Sequence, residues 1–277
     1  MFNLVSTMSE SDFKRDTGLS LESFKIVLKK VKDRMLEIYR ENPMSKRGRK
    51  SSINIENRLL LTLYYIRKYP VFFDLGKLFK ISESYAQKIY FKTSDILAHV
   101  LHVGNRKELE GDQFSSIIID ASEQQIERPK KNQKYYYSGK KKRHTIKAQL
   151  IVCSVTLQIL SVLCCKGAKH DIRLLKESNL RIRDDITKYL DLGYIGIHET
   201  YANTITPHKK SKKKELTDEQ RKFNRNLSRE RIYVEHVNCR CKIFRITKDT
   251  YRGKHKGYGK NWNIVAGLVN LRYSECA

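Results

Sequence analysis

The sequence predicts two regions of different class, an all-α region over roughly the first hundred residues and an α/β region built on a mixed sheet behind it. Three observations predict this. Up to about Val103 apolar residues recur at three- and four-residue spacing. Beyond Ser115 come three strand-like runs, SIIID, HTIKAQLIVCSV and QILSVLCCKG. From Thr217 to Ile246 the helical period returns, and no Pro or Gly interrupts the chain between His208 and Arg252.

In chain order, residues 1 to about 45 carry one helical segment, marked by Leu21, Phe24, Val27, Leu28, Val31, Met35, Leu36 and Tyr39. SKRGRKSS, residues 45–52, reads as a basic linker that also suits phosphate contact. Three helices follow. The first covers about Asn54 to Lys68 and ends at Pro70, and the second covers VFFDLGKLFK. A tight turn at Ile81 and Ser82 leads to the third, with Ser82 as its cap and Ser84, Tyr85, Gln87 and Lys88 displayed at its start. Two short helices joined in this way fit a helix-turn-helix, a pattern that structural bundles share.

The strand Ser115 to Ile119 delivers Asp120 at its end, as a run buried on both faces would. Between Arg128 and Lys147 there are nine Lys or Arg and no acid, interleaved with Tyr135, Tyr136 and Tyr137. Cations track a phosphate backbone and aromatic rings stack on unpaired bases, so this insert suits opened DNA, with Lys140, Lys141, Lys142 and Arg143 as its densest cluster; a solvated hairpin is the alternative. The next two runs complete a three-stranded antiparallel meander. Asp171 then caps the helix DIRLLKESNL, and His170 reads as a surface residue. ITKYL repeats the first pattern, a buried run ending in Asp191 and a Gly-containing turn; Glu199 lies beyond it. HKKSKKK, residues 208–214, is a basic run whose expected neighbour is the DNA backbone. The last segment, with Trp262, Val265, Leu268, Val269 and Leu271, is a helix that closes the core.

Fifty-six Lys and Arg against thirty Asp and Glu leave a formal charge of +26, which implies a polyanionic partner, nucleic acid first. The longest apolar run, Leu150 to Cys165, is interrupted by Ser154, Thr156, Gln158 and Ser161 and is too short to span a bilayer. The N-terminal stretch does not resemble a signal peptide, and no membrane partner is expected. A soluble, cytoplasmic and nucleoid-associated protein follows. The six cysteines contain no C-x-x-C pair and read as reduced, mostly core residues.

The long helix carries the sharpest signal. Thr217 and Gln220 fit a capping box, and Leu227, Val234, Val237, Cys241 and Phe244 form a core-facing strip. Beside it Arg231, Glu235 and Lys242 stack within about 40° of one another, an acid between two cations. An exposed face of ordinary charge pairs is the alternative.

That spacing, R-x-x-x-E, six residues and K, resembles the glutamate region of DDE transposases from bacterial insertion sequences, in the insertion-sequence-five group. The group usually has Tyr three residues before the Arg, where this chain has Ser228. The resemblance extends through IIIDASEQQIERP and YLDLGYIG. It implies a ribonuclease-H-like mixed-sheet catalytic domain over 106–277, a helix-turn-helix DNA-binding domain over 46–105 and a helical segment over 1–45. It also implies that Asp120, Asp191 and Glu235 are the catalytic acids and metal ligands. Carboxylates about 4 Å apart repel by roughly 4 kcal/mol at an effective dielectric near 20, a strain that divalent cations remove. Oxygen ligands select a hard ion, Mg²⁺ with Mn²⁺ as substitute. The implied reaction is metal-dependent cleavage at the ends of a mobile DNA element, followed by joining of the 3′ ends to target DNA. Double-stranded DNA would be the partner, bound by a homo-oligomer, with Arg231 and Lys242 on phosphates and Gln87 and Lys88 reading bases. A nuclease that does not join, a DNA-binding regulator or decayed element copy, and a basic RNA-bound protein are the alternatives.

Overall fold

A computed structural model describes residues 8–43, 52–101, 103, 109, 114–210 and 215–274. They fall into two compact units. The first joins Met1–His102 with Lys242–Asp249 and Asn263–Ala277, and the second joins Val103–Cys241 with Thr250–Trp262. Most of the basic linker, residues 45–51, lies outside the described residues, as do residues 211–214 of the second basic run.

The first unit is helical. Where one N-terminal segment was expected there are two helices, α1 (Glu10–Thr17) and α2 (Leu21–Glu41). Ser9 caps α1 by accepting the Asp12 amide, and Gly18 ends it in the left-handed region at φ 80°. Ser20 caps α2 in the same way. The periodic apolar strip of α2 is what buries Phe24, Val27, Leu28 and Val31. α3 (Ile55–Lys68) is capped by Asn54 and stops at Tyr69, one residue before Pro70. α4 (Phe72–Phe79) and α5 (Glu83–Val100) follow, and the Ser82 side chain does cap α5 through the Tyr85 amide. Tyr65, Phe72 and Tyr90 bind the three together, with Tyr65 stacked on Phe72 at 4.6 Å and tilted on Tyr90 at 4.3 Å.

The turn between α4 and α5 is tighter than its sequence announces. Lys80 is left-handed, and the Ile81 amide reaches back to the Gly76 carbonyl at 2.9 Å. A Cβ on Gly76 would lie 2.8 Å from the Ile81 oxygen and 3.2 Å from the Glu83 nitrogen, both backbone atoms. Glycine is what lets α5 start so close to α4. The turn leaves Ser84, Gln87 and Lys88 exposed and Tyr85 half-buried, while Ala86, Ile89 and Tyr90 face inward.

The second unit is built on a mixed sheet in the order β4-β3-β1-β5-β6, with β2 (Tyr137–Ser138) paired to the start of β3. β1 (Ser116–Gln125), β3 (Arg143–Cys153) and β4 (Ile159–Lys166) form the expected antiparallel meander. β5 (Thr187–Tyr189) adds parallel to β1, and β6 (Thr204–Ile205) adds parallel to β5. Asp120 does not end its strand. β1 continues five residues further, paired with β3 as far as Gln125 and Thr145, and the polar side chains Ser122 and Gln124 are buried on it. One face of the sheet packs the apolar cluster of Ile117, Ile119, Ile151, Leu175, Leu190 and Tyr194. The middle residue of β5, Lys188, is 1 % exposed, and its Nζ donates to the carbonyls of Arg183 (3.0 Å), Ile186 (2.8 Å) and Ala202 (2.9 Å). Burial pushes its ammonium pKa down from the ordinary lysine value.

α6 (Asp171–Glu177) is shorter than expected, and His170 rather than Asp171 stands at its cap, making no side-chain cap bond. α7 (Asp218–Lys242) starts at the expected capping box, where Thr217 and Gln220 exchange hydrogen bonds of 3.1 and 3.2 Å. It ends four residues before the expected Ile246, and a short 3₁₀ turn occupies Arg245–Thr247. The apolar strip Leu227, Val234, Val237, Cys241 and Phe244 is buried, as its spacing requires. α8 (Tyr258–Ser274) is the last element. Cys153 and Cys241 are buried and Cys239 is exposed; all five cysteines among the described residues are free. No helix among them is long and apolar enough to cross a membrane.

Gly76→Ala should lower stability by about 1–3 kcal/mol in urea unfolding, since relief of the clash must move backbone rather than a flexible side chain. Gly139→Ala, where an added Cβ meets nothing within 4 Å, should stay within about 0.5 kcal/mol of the parent.

Candidate active site

Three elements carry the candidate acids. Asp120 stands in the interior of β1, opposite Leu150 of β3. β1 and β5 are in parallel register, Ile118 beside Tyr189, and two further residues along each chain align Asp120 with Asp191. Asp191 has left the strand and caps the short turn Leu192–Tyr194, accepting the Gly193 amide at 2.8 Å. Glu235 comes from α7, on an exposed position of that helix.

Arg231 does not confine its charge to the helix face. Its Nη2 lies 3.5 Å from Asp120 Oδ1, so the ion pair joins α7 to the central strand instead of stacking on Glu235. Asn238, buried seven residues further along α7, donates from Nδ2 to Asp120 Oδ2 at 2.9 Å. At 100° per residue Arg231, Glu235 and Asn238 share a stripe about 60° wide. Lys242, the last residue of the helix, lies on the same stripe and is half-buried.

Burial and like charge define the electrostatics. The Asp120 carboxyl is pushed up to about 6, first by burial; Arg231 pulls it down, and Asp191 and Glu235 push it up again. Asp120 thus feels the charge of both other acids. Among the described residues no three His, Cys, Asp or Glu side chains are arranged as a ready metal cage. The donor set still fits a hard ion, for it is oxygen only and a buried, unpartnered atom beside Asp120, Asn238 Oδ1, is another oxygen.

Several contributors to this site carry no signal in the sequence. Asp171, expected as a cap, instead takes an ion pair of 3.0 Å from Lys147 Nζ, and its carboxylate lies beside Gly193. Gln149 donates to the buried hydroxyl of Tyr194. Burial and the charges of Asp171, Asp120 and Asp191 push that hydroxyl well above the ordinary tyrosine pKa. Asn238 has no charge to announce its role, although its place on the Arg231 stripe is a usable clue.

Outside these contacts stand two further acids, Ser228 and the basic cluster. Glu199 is exposed, with Lys176 3.9 Å away, and Glu230 is exposed on α7. Ser228, where the resemblance expects Tyr, turns back to donate to the Asn224 carbonyl of its own helix. Lys140, Lys141 and Lys142 lie in the exposed turn from β2 (Tyr137–Ser138) into β3, and Arg143, the exposed first residue of β3, reaches Gln125 Oε1 at 2.7 Å.

An aspartate inside the central strand, a second just past the end of its parallel neighbour and a glutamate on a flanking helix, carried by this sheet order, describe a ribonuclease-H-like nuclease. The chain belongs to the DDE superfamily of endonucleases: the model of the DDE superfamily endonuclease matches residues 119–270, and that of the helix-turn-helix of the same superfamily matches 51–102. It is 37% identical over 262 residues to a probable transposase for insertion sequence element IS702 from Microchaete diplosiphon, covering 93% of each chain. It is 26% identical over 229 residues to a putative transposase for insertion sequence element IS112 from Streptomyces albus G, covering 82% of this chain and 83% of that one. No solved structure matches.

The pKa of Asp120 has a measurable consequence. Its folded pKa lies above the unfolded value, so the folded state binds the proton more tightly and stability falls as pH rises from 3.8 towards about 6. In chelator, Asp120→Asn should flatten that slope and be about 2–3 kcal/mol more stable than the parent at pH 7 relative to the difference at low pH. Equal pH profiles for the two proteins would show that Asp120 titrates normally.

Proposed function

We propose that this protein is the transposase of a mobile DNA element, cleaving phosphodiester bonds at the element's ends and joining the freed 3′ ends to target DNA. The observation that carries it is the parallel register that sets Asp120 level with Asp191, with Arg231 and Asn238 of the Glu235 helix bound to Asp120, in a chain of the DDE superfamily. The names of the two relatives support the same reading. Residues 106–277 would do the chemistry and 46–105 the DNA recognition, with 1–45 as a helical extension. The active form would be a homo-oligomer holding two ends, in the cytoplasm with the nucleoid.

Asp120, Asp191 and Glu235 would hold divalent ions, Mg²⁺ with Mn²⁺ as substitute. A bound ion would supply an activated water or 3′-hydroxyl and neutralise charge on the departing oxygen. The chain's own groups prepare that step. Asn238 fixes the Asp120 carboxylate so that it keeps one orientation. Arg231 screens it and offers a guanidinium to a phosphate, and Lys242 would serve phosphates further along the same stripe. The cluster Lys140, Lys141, Lys142 and Arg143 would follow the backbone, while Gln87 and Lys88, exposed at the start of α5, would meet base edges. A nuclease that cuts without joining would use the same acids, and a strand-transfer assay on a linear donor separates the two.

Asp120→Asn, Asp191→Asn and Glu235→Gln should each lower cutting by roughly 10²–10³-fold or more while leaving duplex binding intact. The parent should gain about 2.7 kcal/mol of stability when Mg²⁺ or Mn²⁺ reaches a hundred times its Kd, and the variants should lose most of that gain. Glu199→Gln and Glu230→Gln should cut as the parent does; a well-folded Glu230→Gln without activity would refute the triad. In DNA titrations, Gln87→Ala with Lys88→Ala should weaken binding to an element end more than to random duplex. Neutralising the four residues 140–143 should instead flatten the salt dependence, by up to roughly 0.9 in log-log slope for each phosphate that a side chain no longer neutralises.

A further inference from the structure

Away from the acids, the second unit holds a cavity of about 690 Å³ that cleavage at the triad does not use. Its walls include three flat rings, Tyr135, Tyr136 and His255, with Tyr136 and His255 4.8 Å apart between centroids. Lys166 lies 4.9 Å from the Tyr135 centroid and 5.6 Å from that of Tyr136. Lys169, Arg173 and Lys256 extend the positive rim, and among the described residues neither Asp nor Glu lines the space. Ile146 of β3 and Cys164 of β4 supply an apolar floor.

The lining selects its ligand by exclusion. Flat rings over an apolar floor favour a planar heterocycle, and burial pushes His255 below the usual imidazole pKa, so near neutral pH it is an uncharged ring. An all-cation rim favours phosphate. The volume lies in the range that encloses a single small molecule, and a base still paired in a duplex has its faces covered by its neighbours. Lys169 and Arg173 are both engaged by Glu177, whereas Lys166 and Lys256 have no carboxylate partner among the described residues. Those two are the charges left for a ligand. Ile146 sits opposite Gln124, four residues along β1 from Asp120, which at about 3.3 Å per residue is roughly 13 Å. His170, also in the lining, directly precedes Asp171. A DNA strand with a phosphate at the acids would bring a nucleotide to this cavity within a few steps.

We propose that the cavity binds one unpaired nucleotide of the strand being processed, its base against Tyr135, Tyr136 and His255 and its phosphate at Lys166 and Lys256. This rests on the DNA-processing reading but is tested apart from it. The full-length protein is titrated in EDTA with fluorescein-labelled oligothymidine of twelve nucleotides and with a labelled blunt duplex. Tyr136→Ala combined with His255→Ala should weaken oligothymidine binding about tenfold or more and duplex binding less than twofold. Tyr136→Phe, which keeps the flat face, should bind as the parent does. Lys256→Gln, at an exposed position, should reduce the salt slope on the single strand by about 0.7. Oligothymidine carrying 5-iodouracil should crosslink to a peptide that contains Tyr135, Tyr136 or His255. Equal losses on the two probes, a Phe variant as weak as the Ala variant, an unchanged slope or a crosslink elsewhere would each overturn the proposal. The two readings fail separately: Asp120→Asn that cuts at the parental rate sinks the triad and leaves the cavity standing. Cavity variants with parental oligothymidine affinity and normal cutting sink the cavity alone.

Discussion

A carboxylate held inside the central strand of a sheet is the constraint on which the second unit depends. Asp120 belongs to β1, paired there with Leu150 of β3 and, two residues earlier, with the end of β5, so its position is fixed by the sheet rather than by a loop. A charge so placed must be compensated. α7 provides the compensation twice, with the Arg231 guanidinium on one oxygen and the Asn238 amide on the other. The helix is thereby docked by polar bonds as well as by Val234, Val237 and Cys241, and polar bonds set its register along the sheet in a way apolar contacts do not. Glu235 falls between those two contacts on the helix as a consequence of that register.

Compensation stops short of neutrality. The net effect of burial and neighbouring charge keeps Asp120 harder to ionise than a free carboxylate, in spite of Arg231. A site that ligated its own acids fully would have nothing to offer a cation. This one keeps an unmet demand for positive charge, together with an unpartnered oxygen on Asn238. Arg231 thus stabilises the fold without satisfying the site.

Much of this is legible in the sequence, and the parts that are not share physical causes. The meander, the capping box at Thr217 and the buried strip of α7 follow from local periodicity, which short windows of sequence carry well. The second half of β1 escapes notice because Ser122, Glu123 and Gln124 look like a polar loop, yet two of them are buried on the strand. β2 and β6 are two residues each, too short for any alternation to register. α1 buries little more than Phe13 and Thr17, so its apolar signal is weak although Ser9 and Gly18 mark both ends. Through-space roles are the least visible. Sequence spacing pairs Arg231 with Glu235, its neighbour in the helix, when its partner lies more than a hundred residues earlier in the chain. Gly76 resembles any glycine in a helical pattern until the carbonyl of Ile81 is seen to approach it.

Lys188 gives the sheet's parallel edge an unusual character. An ammonium enclosed by the carbonyls of Arg183, Ile186 and Ala202 behaves like a desolvated ion in an oxygen cage, except that it is tethered to the chain. Two of its three ligands precede β5 and the third precedes β6, so one side chain ties both connections to the strand between them. None of the three can move away without exposing the charge to an incomplete shell. Residues 183–205 should consequently open together rather than fray one by one, a single cooperative segment in hydrogen exchange. Asp191 lies within that segment. The loop that carries Asp191 is thus secured from behind by an internal cation.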